Sequence, residues 1–204
     1  MKPATRTLSH REREFPFHIH KTDTAASVAE HAHDFIEFTY ILSGSGSYSV
    51  GDVQGRFRPR TIIATPPTTP HSFTSSRAVT HRQISVAVYP DFTASVPLPI
   101  SPSTICEAMR PMAYRAALTE GSDAVIRGLF EDLFAEYTAG LRHARFLVQL
   151  NVARLLLLID RAVADGTSIP PLMQTADDAL VQNMLVFLAR HLQDRSVLND
   201  LAVH

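Results

Sequence analysis

A β-rich barrel or sandwich followed by a helical region is the fold class that this 204-residue sequence predicts. Three observations carry the expectation. Short runs with strand-like alternation recur between residues 15 and 90 at intervals of roughly eight to twelve residues, with glycine and proline turns between them. Residues 90–104, PDFTASVPLPISPST, hold four prolines and read as a surface connection. Beyond them the apolar period changes from two to between three and four, the period of an amphipathic helix.

In order along the chain, residues 1–14 are polar and read as an N-terminal arm. Residues 15–20 alternate Phe15, Phe17 and Ile19 against Pro16, His18 and His20, and Pro16 confines this strand to an edge or a strand start. With no carboxylate placed beside them by the pattern, His18 and His20 read as a solvated edge face. Residues 30–44, EHAHDFIEFTYILSG, form the longest strand-like run. Further strands are expected at 47–50, from 56 until Pro59, at 61–65, at 71–75 and at 82–89, where Ile84, Val86 and Val88 alternate with Gln83, Ser85 and Ala87.

The helical part begins with an N-cap at Ser122 and runs to Gly140 on Val125, Leu129, Leu133, Phe134, Tyr137 and Leu141. A second helix spans 142–164. Its run Leu155 to Ile159 is too apolar for a free surface, so the barrel, the preceding helix or a second subunit must cover it. A third helix is expected over 175–193, and another helical pattern opens at 196 and stops at His204.

Composition narrows the function. A formal net charge of −1 argues against this chain gripping a nucleic-acid backbone by itself. Arg110, Arg115, Arg127 and Arg142 are scattered in sequence and read as a solvated face. Cys106 is the single cysteine, so no internal disulfide is possible, and it reads as a packed thiol in a helix start. There is no secretory signal and no apolar run long enough to span a bilayer, so a cytoplasmic location without membrane contact is expected.

The chemistry concentrates in the longest run. On a single strand, residues 31, 33, 35, 37, 39 and 41 share one face, which places His31, His33 and Glu37 together. The opposite face, Ile36, Phe38, Tyr40 and Leu42, is apolar enough to pack on a second layer. His71, in PPTTPH, is a fourth side chain of the same chemical type. Three imidazoles and a carboxylate suit a divalent transition metal such as Zn, Ni, Fe or Mn. The alternative is a polar pocket lining that binds a small molecule directly. Thr39, Tyr48 and Arg82 are further candidates for an effector's hydroxyl or carboxylate, or else barrel-rim residues.

The spacing H-x-H-x3-E-x6-G, filled by His31, His33, Glu37 and Gly44, together with Pro66 and His71 in P-x4-H, resembles the two motifs of the cupin superfamily. The resemblance implies a cupin double-stranded β-helix, or jelly-roll. Ala25, Arg60 and Thr68 stand where cupins usually have glycines. More narrowly, HAHDFIEFTYILSGSGSY, PPTTPHSF and LVFLARHLQDRSVLNDLA resemble the sensor half of AraC/XylS-type transcription regulators, in the rhamnose-responsive branch.

That family implies a cupin sensor at 15–104, a helical dimerisation region at 105–175, and a linker helix entering a helix-turn-helix domain at 176–204. It implies a small polar effector, sugar-like or an organic acid, bound in the barrel, where His31, His33, Glu37, Thr39, Tyr48, His71 and Arg82 are the candidate contacts. It also implies a homodimer through helices 122–164, and DNA contact only through a domain beyond this chain. A metal-dependent cupin enzyme (dioxygenase, isomerase or decarboxylase) is the competing class, with no acid or base standing out beside the ligands.

Overall fold

The computed structural model describes residues 4–5, 16–22, 27–76, 80–89, 92, 96 and 98–164. All of them belong to one compact unit, Met1–Ile169. The helices expected at 175–193 and from 196 lie outside the described residues.

Among the described residues, ten strands build two five-stranded sheets. They are β1 (Ala4–Thr5), β2 (Phe17–Thr22), β3 (Val28–Ala32), β4 (Ile36–Ser43), β5 (Gly46–Val50), β6 (Val53–Phe57), β7 (Thr61–Thr65), β8 (His71–Ser75), β9 (Arg82–Val88) and β10 (Arg115–Ala117). The first sheet runs β1-β3-β8-β5-β6 and the second β10-β7-β4-β9-β2. From β2 to β9 the chain passes back and forth between the sheets, the winding of a jelly-roll barrel of the cupin type. Apart from the parallel β1–β3 pair, the ladders are antiparallel.

Among the described residues, three helices follow: α1 (Pro102–Met109), α2 (Glu120–Ala139) and α3 (Ala144–Ala164). They lie on the outer face of the second sheet, where the even positions of β4 point. Ile36, Phe38 and Tyr40 are buried there. The Tyr40 ring stacks on Phe130 of α2 at 5.3 Å, and its hydroxyl donates to Asp123 at 2.6 Å. Of the Leu155 to Ile159 run, Leu155, Leu156, Leu158 and Ile159 are buried, and α3 packs on α2 and α1. Covering by other helices of the same chain thus accounts for that apolar run.

Several local expectations change. The cap of α2 is Thr119, whose hydroxyl accepts from the Ser122 backbone N–H at 3.4 Å. Ser122 itself is buried inside the first turn. Gly140 closes the helix in the left-handed region at φ 59°. Residues 115–117, expected within the helical region, pair instead with Thr61–Ile63 as β10. The 90–104 connection carries Phe92, fully buried, and gives way to α1 at Pro102 behind a Ser101 cap. Cys106 packs within α1, where burial pushes its thiol up to about 12.

Candidate functional site

The run from 30 to 44 is not one strand. β3 ends at Ala32, residues 33–35 turn the chain across the barrel, and β4 starts at Ile36 in the opposite sheet. The reason lies in Phe35, which is buried against Ala87 and Tyr89 with its ring 5.0 Å from the tyrosine's. His33 stacks on Phe35 at 3.8 Å, and its carbonyl accepts from the Thr68 N–H at 2.6 Å instead of joining a ladder. His31 therefore belongs to the first sheet, His33 to the corner and Glu37 to the second sheet. They converge across the barrel, not along one strand face.

His71 arrives through the register of β3 with β8, which sets it opposite His31. The two rings lie 4.1 Å apart, and His71 is 4.7 Å from the His33 ring. One ring nitrogen from each of His31, His33 and His71 lies within 4.8 Å of the others. Nitrogens sharing one ion at about 2.0–2.1 Å sit closer than that, so the rings must close by about an ångström to share one.

The other ring nitrogens are already engaged. Nδ1 of His31 donates to the Ala29 carbonyl at 3.0 Å, that of His33 to Phe35 at 2.9 Å, and that of His71 to Thr69 at 3.1 Å. Each acceptor lies two residues away, so the local backbone fixes each ring. A neutral imidazole donating from Nδ1 carries its lone pair on Nε2. Nε2 of His33 and of His71 is buried with no hydrogen-bond partner. Two orphaned acceptors beside a third imidazole, each held from behind by a carbonyl, is the tautomer arrangement that metal-bound histidines use. The donor set fits a divalent transition metal.

Glu37 adds the negative charge. Its Oε2 lies 3.6 Å from Nε2 of both His33 and His71, and its Oε1 lies 3.7 Å from Nε2 of His20. Burial alone pushes this carboxyl up. The contacts with His33 and His71 and the charges of His20 and His33 outweigh that, and hold it well below the usual carboxylate range. Burial acts the other way on His31, holding its ring below the usual imidazole range against the bond to Ala29.

His20 is the residue that the alternation pattern left on a solvated edge; the structure corrects this. It sits opposite Ser85 on β9, which is opposite Thr39 on β4, so it shares the inner row beside Glu37. His18 stacks on His20 at 5.6 Å and bonds the Tyr137 hydroxyl of α2 at 3.0 Å. A carboxylate two strands away in the ladder carries no signal in local sequence.

Of the other expected pocket residues, Thr39 is buried beside the centre and bonds Ser85 at 2.9 Å. Thr65, opposite Glu37, is buried with its hydroxyl unpartnered. Tyr48 lies away from the histidines, its hydroxyl donating to the Ala113 carbonyl at 2.6 Å. Arg82 is exposed on the row of Ile84 and Val86, which faces out of the barrel. The structure brings His31, His33, Glu37, Thr39 and His71 together, and separates Tyr48 and Arg82 from them.

A family model described as the AraC-like ligand binding domain matches residues 16–156. The chain belongs to this family. The match takes in the whole histidine centre of this AraC-like domain and most of its helical layer. A search of curated protein sequences returns no match.

Solved structures are similar to part of this chain. An RmlC-like cupin from Shewanella frigidimarina is 19% identical, with a TM-score of 0.33, over 36% of this chain and 66% of that one. The polyketide cyclase RemF from Streptomyces resistomycificus is 22% identical, with a TM-score of 0.34, over 40% and 60%. A cupin 2 conserved barrel domain protein from Rhodopseudomonas palustris is 19% identical, with a TM-score of 0.32, over 35% and 50%. The chain spans between half and two thirds of the length of these structures. Among the described residues, no helix is long and apolar enough to cross a membrane.

Proposed function

We propose that this chain is the ligand-sensing part of a cytoplasmic transcription regulator, with the centre of His31, His33, His71 and Glu37 as the sensing element. The observation that carries the reading is the pair of buried, unpartnered Nε2 atoms on His33 and His71, facing a buried carboxylate inside the barrel of an AraC-like domain. Leaving such atoms unpaired costs about 1–3 kcal/mol each, so a partner is favoured there.

These four residues would hold a divalent transition metal, Zn, Ni, Fe or Mn. When bound, it supplies a positive anchor for the oxygen atoms of a sugar-like or organic-acid effector. The next polar groups along the inner rows, Thr39, Ser85 and Thr65, are hydroxyls suited to hydrogen-bonding such a ligand. They are poor general bases, which favours binding over turnover by a metal-dependent enzyme.

The readout runs through contacts already in place. Glu37 faces His20, His20 stacks on His18, and His18 bonds Tyr137 on α2. Taking Glu37 away from His20 changes what holds that edge strand to the helix. A homodimer through helices 122–164, and DNA contact by a helix-turn-helix domain beyond residue 204, would turn that change into regulation. The resemblance of 176–204 to the rhamnose-responsive branch supports this last step.

Calorimetric titration with Zn and Ni tests the centre. One ion per chain is expected, with binding lost in His71→Ala and in His33→Ala. Saturation should raise the unfolding free energy by about 2.7 kcal/mol at a hundredfold excess over the dissociation constant. Binding that survives both substitutions would place the ion elsewhere.

A further inference from the structure

A second cluster lies on the outside of the barrel, where the free edges of the two sheets approach. β6 closes one edge of the first sheet and β10 one edge of the second. Arg56 and Arg58 share a face of the chain by the two-residue strand period, with Phe57 turned the other way and buried beneath them. Arg115, the first residue of β10, donates from Nη1 to the Arg56 carbonyl at 3.1 Å and ties the two edges together.

These three arginines, with Ser45, Ser76, Gly46 and Phe57, line a recess of about 540 Å³. The Ser76 N–H donates to the Ser45 carbonyl at 2.9 Å, which keeps the serine wall in place. That volume suits a small molecule.

The charge of the recess is uncompensated. Among the described residues, no carboxylate lines it. Arg60, outside the recess, pairs with Glu120 and Asp123, and Arg127 with Glu131. Arg56, Arg58 and Arg115 make no such pair among the described residues. Three guanidinium groups around one recess repel one another, and an anion seated between them removes that cost. The planar guanidinium fork matches the two oxygens of a carboxylate or a phosphate.

We propose that this recess is an oxyanion-binding site, separate from the histidine centre, that takes a small ligand carrying a carboxylate or phosphate group. Arg56 and Arg58 grip the oxyanion from the β6 side, Arg115 from the β10 side, and the serine hydroxyls donate to its remaining oxygens. Because the ligand bridges the edges of both sheets, it clamps the seam of the barrel.

The test is titration of the full 204-residue chain at fixed ionic strength with two weakly chelating probes, methyl phosphate and succinate. Backbone amide shifts of Ser45 and Ser76 follow site occupancy. Saturable binding is expected for at least one probe, and the tighter of the two names the oxyanion. Arg58→Gln, or Arg56→Gln if the first variant does not fold, should weaken binding about tenfold, one charged hydrogen-bonding partner's worth. Arg60→Gln makes the same charge change outside the recess and should leave affinity unchanged, as should His71→Ala. Failure of both probes to saturate would overturn the proposal. Equal weakening by Arg60→Gln would reduce it to a diffuse positive field, and loss in His71→Ala would place the anion at the histidine centre.

Discussion

Each of the three histidines is oriented by a carbonyl two residues away, so the centre is built from very short-range backbone geometry. This is why the ligand types were legible in the H-x-H-x3-E spacing, while the way they meet was not: alternation along residues 31–41 cannot register a chain that crosses the barrel at 33–35. Thr68 shows a related limit. It holds a left-handed backbone at φ 57°, and Arg60 does the same at φ 66°, at the two positions of the second motif where glycine is usual. The turns survive without glycine because Thr68 N–H is bonded to the His33 carbonyl and Arg60 N–H to that of Ile41. The buried imidazoles also set an acid sensitivity. Burial holds His31 and His81 below the ordinary value near 6.5, so the unfolded chain binds more protons than the folded one as pH drops. Their contribution is complete above the unfolded value and is lost as pH falls through the lower folded values. Glu37, also depressed when folded, adds a further loss at still lower pH. Urea unfolding of the metal-free chain should therefore weaken from about pH 7 to about pH 5, with a slope of up to about 1.4 kcal/mol per pH unit for each histidine. A flat profile would contradict this.

At the scale of elements, β4 is the hinge of the architecture. Its odd residues Glu37, Thr39 and Ile41 face the barrel interior, while Ile36, Phe38 and Tyr40 carry the helical layer. That two-faced character was readable from sequence, where the apolar face of Ile36, Phe38, Tyr40 and Leu42 is suited to a second layer and the face of Glu37 and Thr39 is polar. The start of α2 was not, because Thr119 and Ser122 both satisfy the composition of a cap, and only the bond from Ser122 N–H to the Thr119 hydroxyl distinguishes them. β10 escaped for a similar reason: three residues, Arg115 to Ala117, carry no period. Its placement matters, because it moves Arg115 from a scattered surface charge to a neighbour of Arg56 and Arg58. Thr119→Ala should cost about 1 kcal/mol in chemical denaturation, with the denaturant slope unchanged. Loss of less than a few tenths would return the capping role to Ser122.

For the molecule as a whole, the jelly-roll and the helices on its second sheet form one unit in which the inner polar row of the barrel and the outer helical layer share β2, β4 and β9. The histidine centre touches that layer through a short chain of contacts, Glu37 to His20, His20 to His18 and His18 to Tyr137. All three links were outside the reach of sequence reasoning, which saw His18 and His20 only as an exposed edge. On the proposed function, filling the histidine centre is felt by α2 through Tyr137. Amide hydrogen exchange across Glu120–Ala139, with and without saturating Zn, tests it most directly in the parent chain and in Tyr137→Phe. Zn is expected to alter exchange along α2 in the parent, and Tyr137→Phe to bind Zn with unchanged affinity while the α2 response disappears. An α2 response of equal size in Tyr137→Phe, or none in the parent with Zn bound, would contradict it.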